Sequence, residues 1–221
     1  MMRPLRHAYT NDARTDGSTV VKRYTGPAAA ERRETERSVL GRLPAGLPIP
    51  RVLAATGDTL VFTHLPGVPA QELVDAGHAG EVLHSCGVLL RRVQQLDVAA
   101  VFPGGEGAVV VHGDFGPNNM LVDAGTFAAT GLVDWEWAHA GDPIEDLAWC
   151  EWIIRMHHPR VVDALDHLFA GYGSRPPWPV RQAAAVARCV ELTEVVRAAP
   201  DPSGPVRTWQ NRTAITSSWT E

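Results

Sequence analysis

The stretch Val111-His-Gly-Asp-Phe-Gly-Pro-Asn-Asn-Met-Leu-Val122, followed by Leu132-Val-Asp-Trp-Glu-Trp137, restricts this chain more than any other part of its sequence. Apolar, β-type residues flank polar bends, so the polar side chains sit on loops between short strands. One carboxylate (Asp114) falls on a glycine-containing bend, an amide (Asn119) a short loop later, and a second carboxylate (Asp134) after a further strand. Oxygen donors at such positions suit a hard cation such as Mg2+, which takes carboxylate, amide and phosphate oxygens in preference to sulfur or imidazole. Phosphoryl transfer needs that cation and one further carboxylate to orient the attacking hydroxyl. The bland alternative is an Asx-rich turn between two core strands with both carboxylates solvated.

His112-Gly-Asp114 with Asn119 resembles the catalytic loop of the aminoglycoside phosphotransferase and choline kinase-like family of small-molecule kinases, and Val133-Asp134-Trp135 resembles that family's form of the kinase Asp-Phe-Gly element. The full spacing, H-G-D-x-x-x-x-N followed by an apolar-Asp-Trp strand, is far more specific than a bare H-G-D. The resemblance implies an α+β, two-lobed protein-kinase-like fold. Residues 1–66 would form a small β-rich lobe with one helix, and residues 67–221 a larger, mainly helical lobe. It further implies Asp114 as catalytic base with His112 in the same loop, Asn119 and Asp134 as metal ligands, and ATP or GTP with Mg2+ as cofactors.

Lys22 is the only lysine in the sequence; the other basic residues are arginine. It stands in Thr19-Val-Val-Lys-Arg-Tyr24, a β-branched run after the hairpin signal Asp16-Gly17. A compact ammonium on a strand suits nucleotide phosphates, whereas the plain alternative is an exposed strand lysine. Pro27 to Leu43 reads as the next helix, with Val39, Leu40 and Leu43 on an apolar face. Glu31, Glu34 and Glu36 on that helix are candidates to hold the lysine, while Arg32, Arg33 and Arg37 suggest a solvated, salt-bridged face. The resemblance selects Glu36, with Glu34 as the alternative. It also places adenine at Leu65-Pro66-Gly67, pairing with the Thr63 carbonyl and the Leu65 amide in front of Phe62.

Strands are expected around Arg51–Ala55, Thr59–Thr63 and Val109–Val111, and helices over His78–Leu96, Ile144 to about Met156, Val161–Ala170 and Val180–Ala199. Asp142, Pro143 and Glu145 read as N-cap, first helical position and capping-box partner. Asp146 either braces the catalytic loop, as the resemblance implies, or simply complements the helix dipole. Trp135, Trp137, Trp149 and Trp152 could form an aromatic acceptor wall near Asp114, although core packing is the default for each. Glu136 and Trp137, just after Asp134, have the best claim to face an acceptor. His157-His158 lacks a third ligand at sensible spacing and reads as a helix end. Before Lys22 only Gly17 is available, so the family's first strand and glycine-rich phosphate cover should be almost absent. The C-terminal helices should also be trimmed.

A net charge of −5 gives no basic footprint for nucleic acid, and no Lys/Arg cluster suggests a membrane surface. The widely spaced Cys86, Cys150 and Cys189 read as reduced, buried thiols. Neither a signal peptide nor a membrane-spanning apolar run stands out, which makes a cytoplasmic location the default. The interval between Asp134 and the cap at Asp142 leaves no room for a long activation segment, favouring a small hydroxyl-bearing acceptor over a protein. The leading expectation is a small-molecule O-kinase acting on an aminoglycoside-like antibiotic or a metabolite alcohol. A silent nucleotide-binding module and a metal-dependent phosphohydrolase are the competing readings.

Overall fold

In the computed structural model, residues 2–5 and 11–221 are described. The chain starts with a five-stranded antiparallel sheet in the order β1-β2-β3-β5-β4, made of β1 (Arg3–Pro4), β2 (Asp12–Thr15), β3 (Thr19–Arg23), β4 (Val52–Thr56) and β5 (Thr59–Thr63). The first strand is reduced to a two-residue pairing of Arg3 and Pro4 with Thr15 and Arg14, close to the near-absence the sequence suggests. The segment that would carry the phosphate cover falls on residues 6–10, outside the described residues. At the β2–β3 turn, Oδ1 of Asp16 accepts from the backbone N–H groups of Ser18 and Thr19 at 2.9 and 2.8 Å, and Gly17 takes φ +94°. An Asx turn followed by a left-handed glycine closes this hairpin.

Helix α1 (Ala29–Arg42) packs against this sheet through Val39 and Leu40, both buried. Strand β5 ends at Thr63, and the chain crosses at Leu65-Pro66-Gly67. Strand β6 (Val68–Pro69) already belongs to a second sheet, pairing with β8 (Met120–Val122), which pairs in turn with β9 (Ala129–Leu132). Gly67 has φ +114°, and a Cβ there would meet Thr130 Oγ1 at 2.2 Å and the Val122 carbonyl at 2.8 Å. Only glycine fits this crossing, because both the backbone angle and the space exclude a side chain.

Helices α2 (Ala70–Asp75), α3 (Ala79–Gln94) and α4 (Val98–Val101) follow. The apolar face of α3 (Val82, Leu83, Cys86, Leu89, Leu90 and Val93) is buried and packs on α6 (Leu165–Tyr172). Strand β7 (Val109–Val111) pairs with β10 (His139–Gly141), so the strands before and after the polar loops lie side by side. Then come α5 (Ile144–His157), a 3-10 turn at Pro159–Ala164, α6, α7 (Trp178–Arg197) and α8 (Ser203–Ser218). The 3-10 turn occupies the first half of what the sequence suggests is one helix, because Pro159 and the non-helical Val161 interrupt it. The sequence pattern does not mark α8: of its residues only Thr216 is buried. It docks through Trp209 on a small second core of Trp149, Trp152, Ile153, Ala185 and Cys189.

The three cysteines are free and buried. Among the described residues, no helix is long and apolar enough to cross a membrane.

Candidate active site

The β7–β10 pairing brings the two halves of the polar passage together. Gly113 lies where they cross, with φ +82°, and a Cβ placed on it would stand only 2.4 Å from the Trp137 carbonyl oxygen. Asp134 is the other strained point, a non-glycine residue at φ 70°, ψ 55°. Asp adopts this left-handed conformation at modest cost, and such outliers concentrate at functional sites.

Asp114 is gripped on both carboxylate oxygens. Trp149 donates its indole N–H to Oδ1 at 2.8 Å, and Asn119 Nδ2 donates to Oδ2 at 2.7 Å. Asn119 also reaches the Asp114 carbonyl at 2.8 Å, leaving its amide oxygen for another partner. Burial pushes the Asp114 pKa up to about 6; Asp134 adds to the rise, while Trp149, Asn119 and Arg188 oppose it. A carboxylate with such a pKa changes charge close to neutrality.

His112 is fully buried. Its Nε2 pairs with the Val133 carbonyl at 3.0 Å while Nδ1 accepts from the Asp114 backbone N–H at 3.3 Å, a pattern that fits the neutral ring protonated on Nε2. Burial lowers its pKa to about 4. Asp146 accepts from the backbone N–H groups of His112 and Gly113 at 2.7 and 2.9 Å, so it braces the loop and does more than complement a helix dipole. The helix start that carries it is a capping box. Asp142 Oδ1 accepts from the Ile144 N–H at 2.9 Å, and Glu145 Oε1 accepts from the Asp142 N–H at 2.7 Å.

Lys22 meets three carboxylates: Asp134 at 2.5 Å, Glu36 at 2.6 Å and Glu136 at 3.0 Å. Burial pulls its pKa down, but the three carboxylates outweigh burial and hold it well above the ordinary lysine value. The partner from α1 is thus Glu36; Glu34 instead makes an exposed pair with Arg37. Glu36 also accepts from the Tyr24 hydroxyl and, at 3.1 Å, from the Trp135 backbone N–H.

Glu136 does not line an open wall. It is buried between Lys22, Arg32 (2.6 Å) and Asn11 (2.8 Å), and its placement for an acceptor is replaced by a role in a buried charge network. Burial raises its pKa, opposed by Lys22 and Arg32. Arg32 is itself buried, donating to the carbonyls of Pro27 and Thr25, so it does not belong to the solvated face its sequence context suggests. The Trp137 ring lies 5.5 Å from the guanidinium centres of both Arg32 and Arg188.

Two partners of this site, Arg188 and Asn11, carry no local signal in the sequence, and a third, Trp149, is one of four tryptophans the sequence offers near Asp114. Trp149, Arg188 and Asn11 lie far along the chain from the residues they touch. Trp149 sits on the buried side of α5, where an indole is ordinary core. Only the direction of its N–H sets it apart. Arg188 donates to the Gly113 carbonyl at 2.8 Å. By contrast, Phe62 is buried under β5, and Thr63 and Leu65 are half-buried where β5 leaves the first sheet. The Thr63 backbone N–H is used by the Arg51 carbonyl at 3.0 Å.

The donor set near Lys22 suits a hard divalent cation. Carboxylate oxygens of Glu36, Asp134 and Glu136 lie within 4.8 Å of one another. Asp134 is the most exposed of the three, 29% against 2% and 1%, and is the one a cation could reach.

Comparison with known proteins gives a consistent placement. The family model described as "Phosphotransferase enzyme family" matches residues 3–109 and 103–185. A curated relative, the EKC/KEOPS complex subunit BUD32 of Encephalitozoon cuniculi (strain GB-M1), is 27% identical over 118 residues, covering 48% of this chain and 54% of the relative; the chain thus spans about half the length of that protein. Among solved structures, a thermostable mutant of the aminoglycoside phosphotransferase APH(4)-Ia superposes with a TM-score of 0.70 at 17% identity, covering all of this chain (100%) and 96% of that one. An aminoglycoside phosphotransferase from Streptomyces rimosus, in complex with ADP and streptomycin, gives 0.61 at 20% identity, covering 83% and 90%. These likenesses establish a protein-kinase-like fold, and the family match spans most of the sequence. The chain belongs to the phosphotransferase enzyme family, and the aminoglycoside phosphotransferases are among its structural relatives.

Proposed function

We propose that this protein transfers the γ-phosphoryl group of ATP to a hydroxyl of a small molecule. The observation that carries the reading is the orientation of Asp114: both its oxygens are held by neutral N–H donors, on a loop braced by Asp146, within one charge network of Lys22 and Asp134. A base whose geometry is fixed in advance lowers the entropic part of the barrier.

In this reading Lys22 holds nucleotide phosphate oxygens, oriented by Glu36, while Asp134 and the amide oxygen of Asn119 hold Mg2+. When bound, Mg2+ neutralises charge on the transferring phosphate. The β-rich lobe and the crossing at Thr63–Leu65, with Phe62 behind, form the nucleotide side. The acceptor hydroxyl donates to Asp114, its oxygen forms the new bond to γ-phosphorus, and the bridging β–γ P–O bond breaks with its electron pair leaving on ADP. The hydroxyl proton ends on Asp114. Because bond-making in such a loose transition state is late, orientation by Asp114 matters more than its basicity.

What supports a small acceptor is the segment after Asp134. It runs through one 3-10 turn directly into β10 and the capping box, and β10 is paired to β7. A strand locked in this way leaves no loop on which a peptide could dock. The BUD32 relative supplies a second reading, a protein acceptor, and this pairing weighs against it.

The test is acceptor-dependent ADP formation from Mg2+-ATP across a panel of alcohols, hydroxy acids, amino-alcohols and aminoglycosides. Turnover with at least one small acceptor, abolished in Asp114→Asn while nucleotide binding persists, is the expected result. Phosphate release without any acceptor, or phosphorylation of protein alone, would overturn it.

A further inference from the structure

One cation beside Asp114 is not accounted for by the nucleotide chemistry. Arg188, on α7, reaches across α5 to the catalytic loop, where Nη2 donates to the Gly113 carbonyl at 2.8 Å. Its guanidinium centre lies 5.5 Å from the Trp137 ring and 5.9 Å from the Trp149 ring, the same indole that holds Asp114. Among the described residues its one ion pair is with Glu191 at 2.7 Å, one turn along α7. Glu191 is 58% exposed while Arg188 is 13% exposed, so this pair is screened and weak. The Arg188 Nε–H is buried and has no hydrogen-bond partner among the described residues.

A guanidinium carries five donors in a rigid fork, suited to the two oxygens of a carboxylate or phosphate. Here two aromatic faces hold the fork, one donor is spent on the backbone, and its counter-ion can swing into solvent. Leaving a buried N–H unpaired costs about 1–3 kcal/mol, which an arriving acceptor oxygen would recover. A polycationic acceptor meets the opposite situation, since a fixed positive charge hydrogen-bonded to the carbonyl of Gly113, next to the base in sequence, repels ammonium groups.

We propose that Arg188, framed by Trp137 and Trp149, is an acceptor-binding residue that selects a hydroxyl compound bearing an acidic group, such as a hydroxy acid, over a polycationic aminoglycoside. The proposal rests on the phosphotransferase reading for the transfer step but not for binding. The step itself is unchanged: the acceptor oxygen bonds to γ-phosphorus, ADP leaves, and the proton passes to Asp114.

The experiment compares glycerate, malate, glycerol, ethanolamine and kanamycin as acceptors for the wild type, Arg188→Met and Arg188→Lys, following ADP and phosphorylated product. The acids should have the lowest KM. Arg188→Met should raise the glycerate KM about 10- to 100-fold, the range expected for a charge-assisted hydrogen bond, and by at least about tenfold more than it raises that for glycerol. Arg188→Lys should restore part of the loss. Preference for ethanolamine or kanamycin, or an equal penalty on glycerate and glycerol, would overturn the proposal, since a merely structural arginine affects both alike. Tryptophan fluorescence titrated with glycerate separates the two readings. Quenching in the wild type but not in Arg188→Met, without turnover, supports the anion site while the phosphotransferase reading fails. Identical responses in both proteins defeat the anion site.

Discussion

The indole N–H of Trp149 donates to Oδ1 of Asp114 at 2.8 Å, joining α5, the α-helix that follows Asp134, directly to the candidate base. Trp149 is held in turn by a parallel stack on Trp152, with ring centroids 4.3 Å apart and planes at 6°. The donor therefore has little freedom, and the carboxylate it holds has little either. Trp149→Phe keeps most of the stack and removes only the N–H. Hydrogen bonding to the ionised form opposes the effect of burial at Asp114, so its loss should raise a pKa that is already about 6. The acid limb of the kcat–pH profile should move upward by about one unit, taking a charge-assisted bond as roughly 1.5–3 kcal/mol and allowing for partial replacement by water. An unmoved limb with unchanged kcat would show that the bond does not govern the base.

Gly113 occupies the family's position between histidine and aspartate for two separate reasons, a φ of +82° and a Trp137 carbonyl 2.4 Å from any added Cβ. Gly113→Ala meets both. The left-handed conformation costs about 1–2 kcal/mol, and relieving the clash requires the two loops to part. The expected outcome is a lowered Tm and a kcat reduced on the order of 100-fold, because a shift of about 1 Å at the base suffices for that loss. Nucleotide affinity, set on the Lys22 side, should change much less. Equal loss of both would mean that the whole fold, and not the loop, has yielded.

What the sequence makes legible here is what is encoded by neighbours in the chain. The capping box at Asp142 and Glu145 and the strand–helix order around Lys22 follow from local periodicity and turn chemistry, while the H-G-D-x-x-x-x-N spacing and the choice of Glu36 among three glutamates come from the family resemblance. Arg188 could not be read this way, and Trp149 could be read only as one of four tryptophans suited to core or acceptor wall, not as a donor to Asp114. Each lies on a helix where arginine and tryptophan are unexceptional, and each reaches the catalytic loop only because α5 and α7 pack together. Glu136 shows the converse error. Its closeness to Asp134 in sequence suggests the cleft, but the 3-10 turn at Trp135–Trp137 rotates it towards α1 and Arg32. Helix α8 is hard to see because its face is nearly all polar, its one aromatic anchor being Trp209 against the stacked indoles.

Away from the site, a second buried charge network ties the C-terminal helices together. Glu151 on α5 accepts from Arg181 Nη1 at 2.6–2.7 Å and from Arg155 Nε at 2.9 Å, and Arg181 is only 1% exposed. Glu151→Ala leaves that guanidinium only the Pro176 carbonyl and the more exposed Glu221, so unfolding should become easier by an amount approaching, but below, the about 3–5 kcal/mol of a wholly uncompensated buried charge. The paired replacement Glu151→Leu with Arg181→Met should recover much of this, since the expense lies in the uncompensated charge. Urea denaturation of both variants decides the point. A double variant no more stable than the single one would place the stabilisation in shape and not in charge.

Two buried groups at the catalytic loop oppose each other in how they tie stability to pH. Asp146 and His112 are both fully buried, and burial moves them in opposite senses, the carboxyl up to about 6 and the imidazole down to about 4. Between roughly pH 4 and 6 the folded state keeps a proton on Asp146 that the unfolded chain has released, so this residue makes stability fall as pH rises. Between roughly pH 4 and 6.5 the unfolded chain protonates His112 while the folded state leaves it neutral, so this residue makes stability rise with pH. Each shift corresponds to about 3 kcal/mol, and the two nearly cancel across the shared window. Through this pair alone the stability of the wild type should change little from pH 4.5 to 6, and Asp114, whose carboxyl burial also pushes up to about 6, adds a decline of its own over the same window. His112→Gln keeps an N–H for the Val133 carbonyl and removes the titration. Whatever its absolute stability, urea midpoints for this variant should fall steadily from pH 4.5 to 6. Parallel profiles for the two proteins would show that the imidazole is not held neutral in the fold.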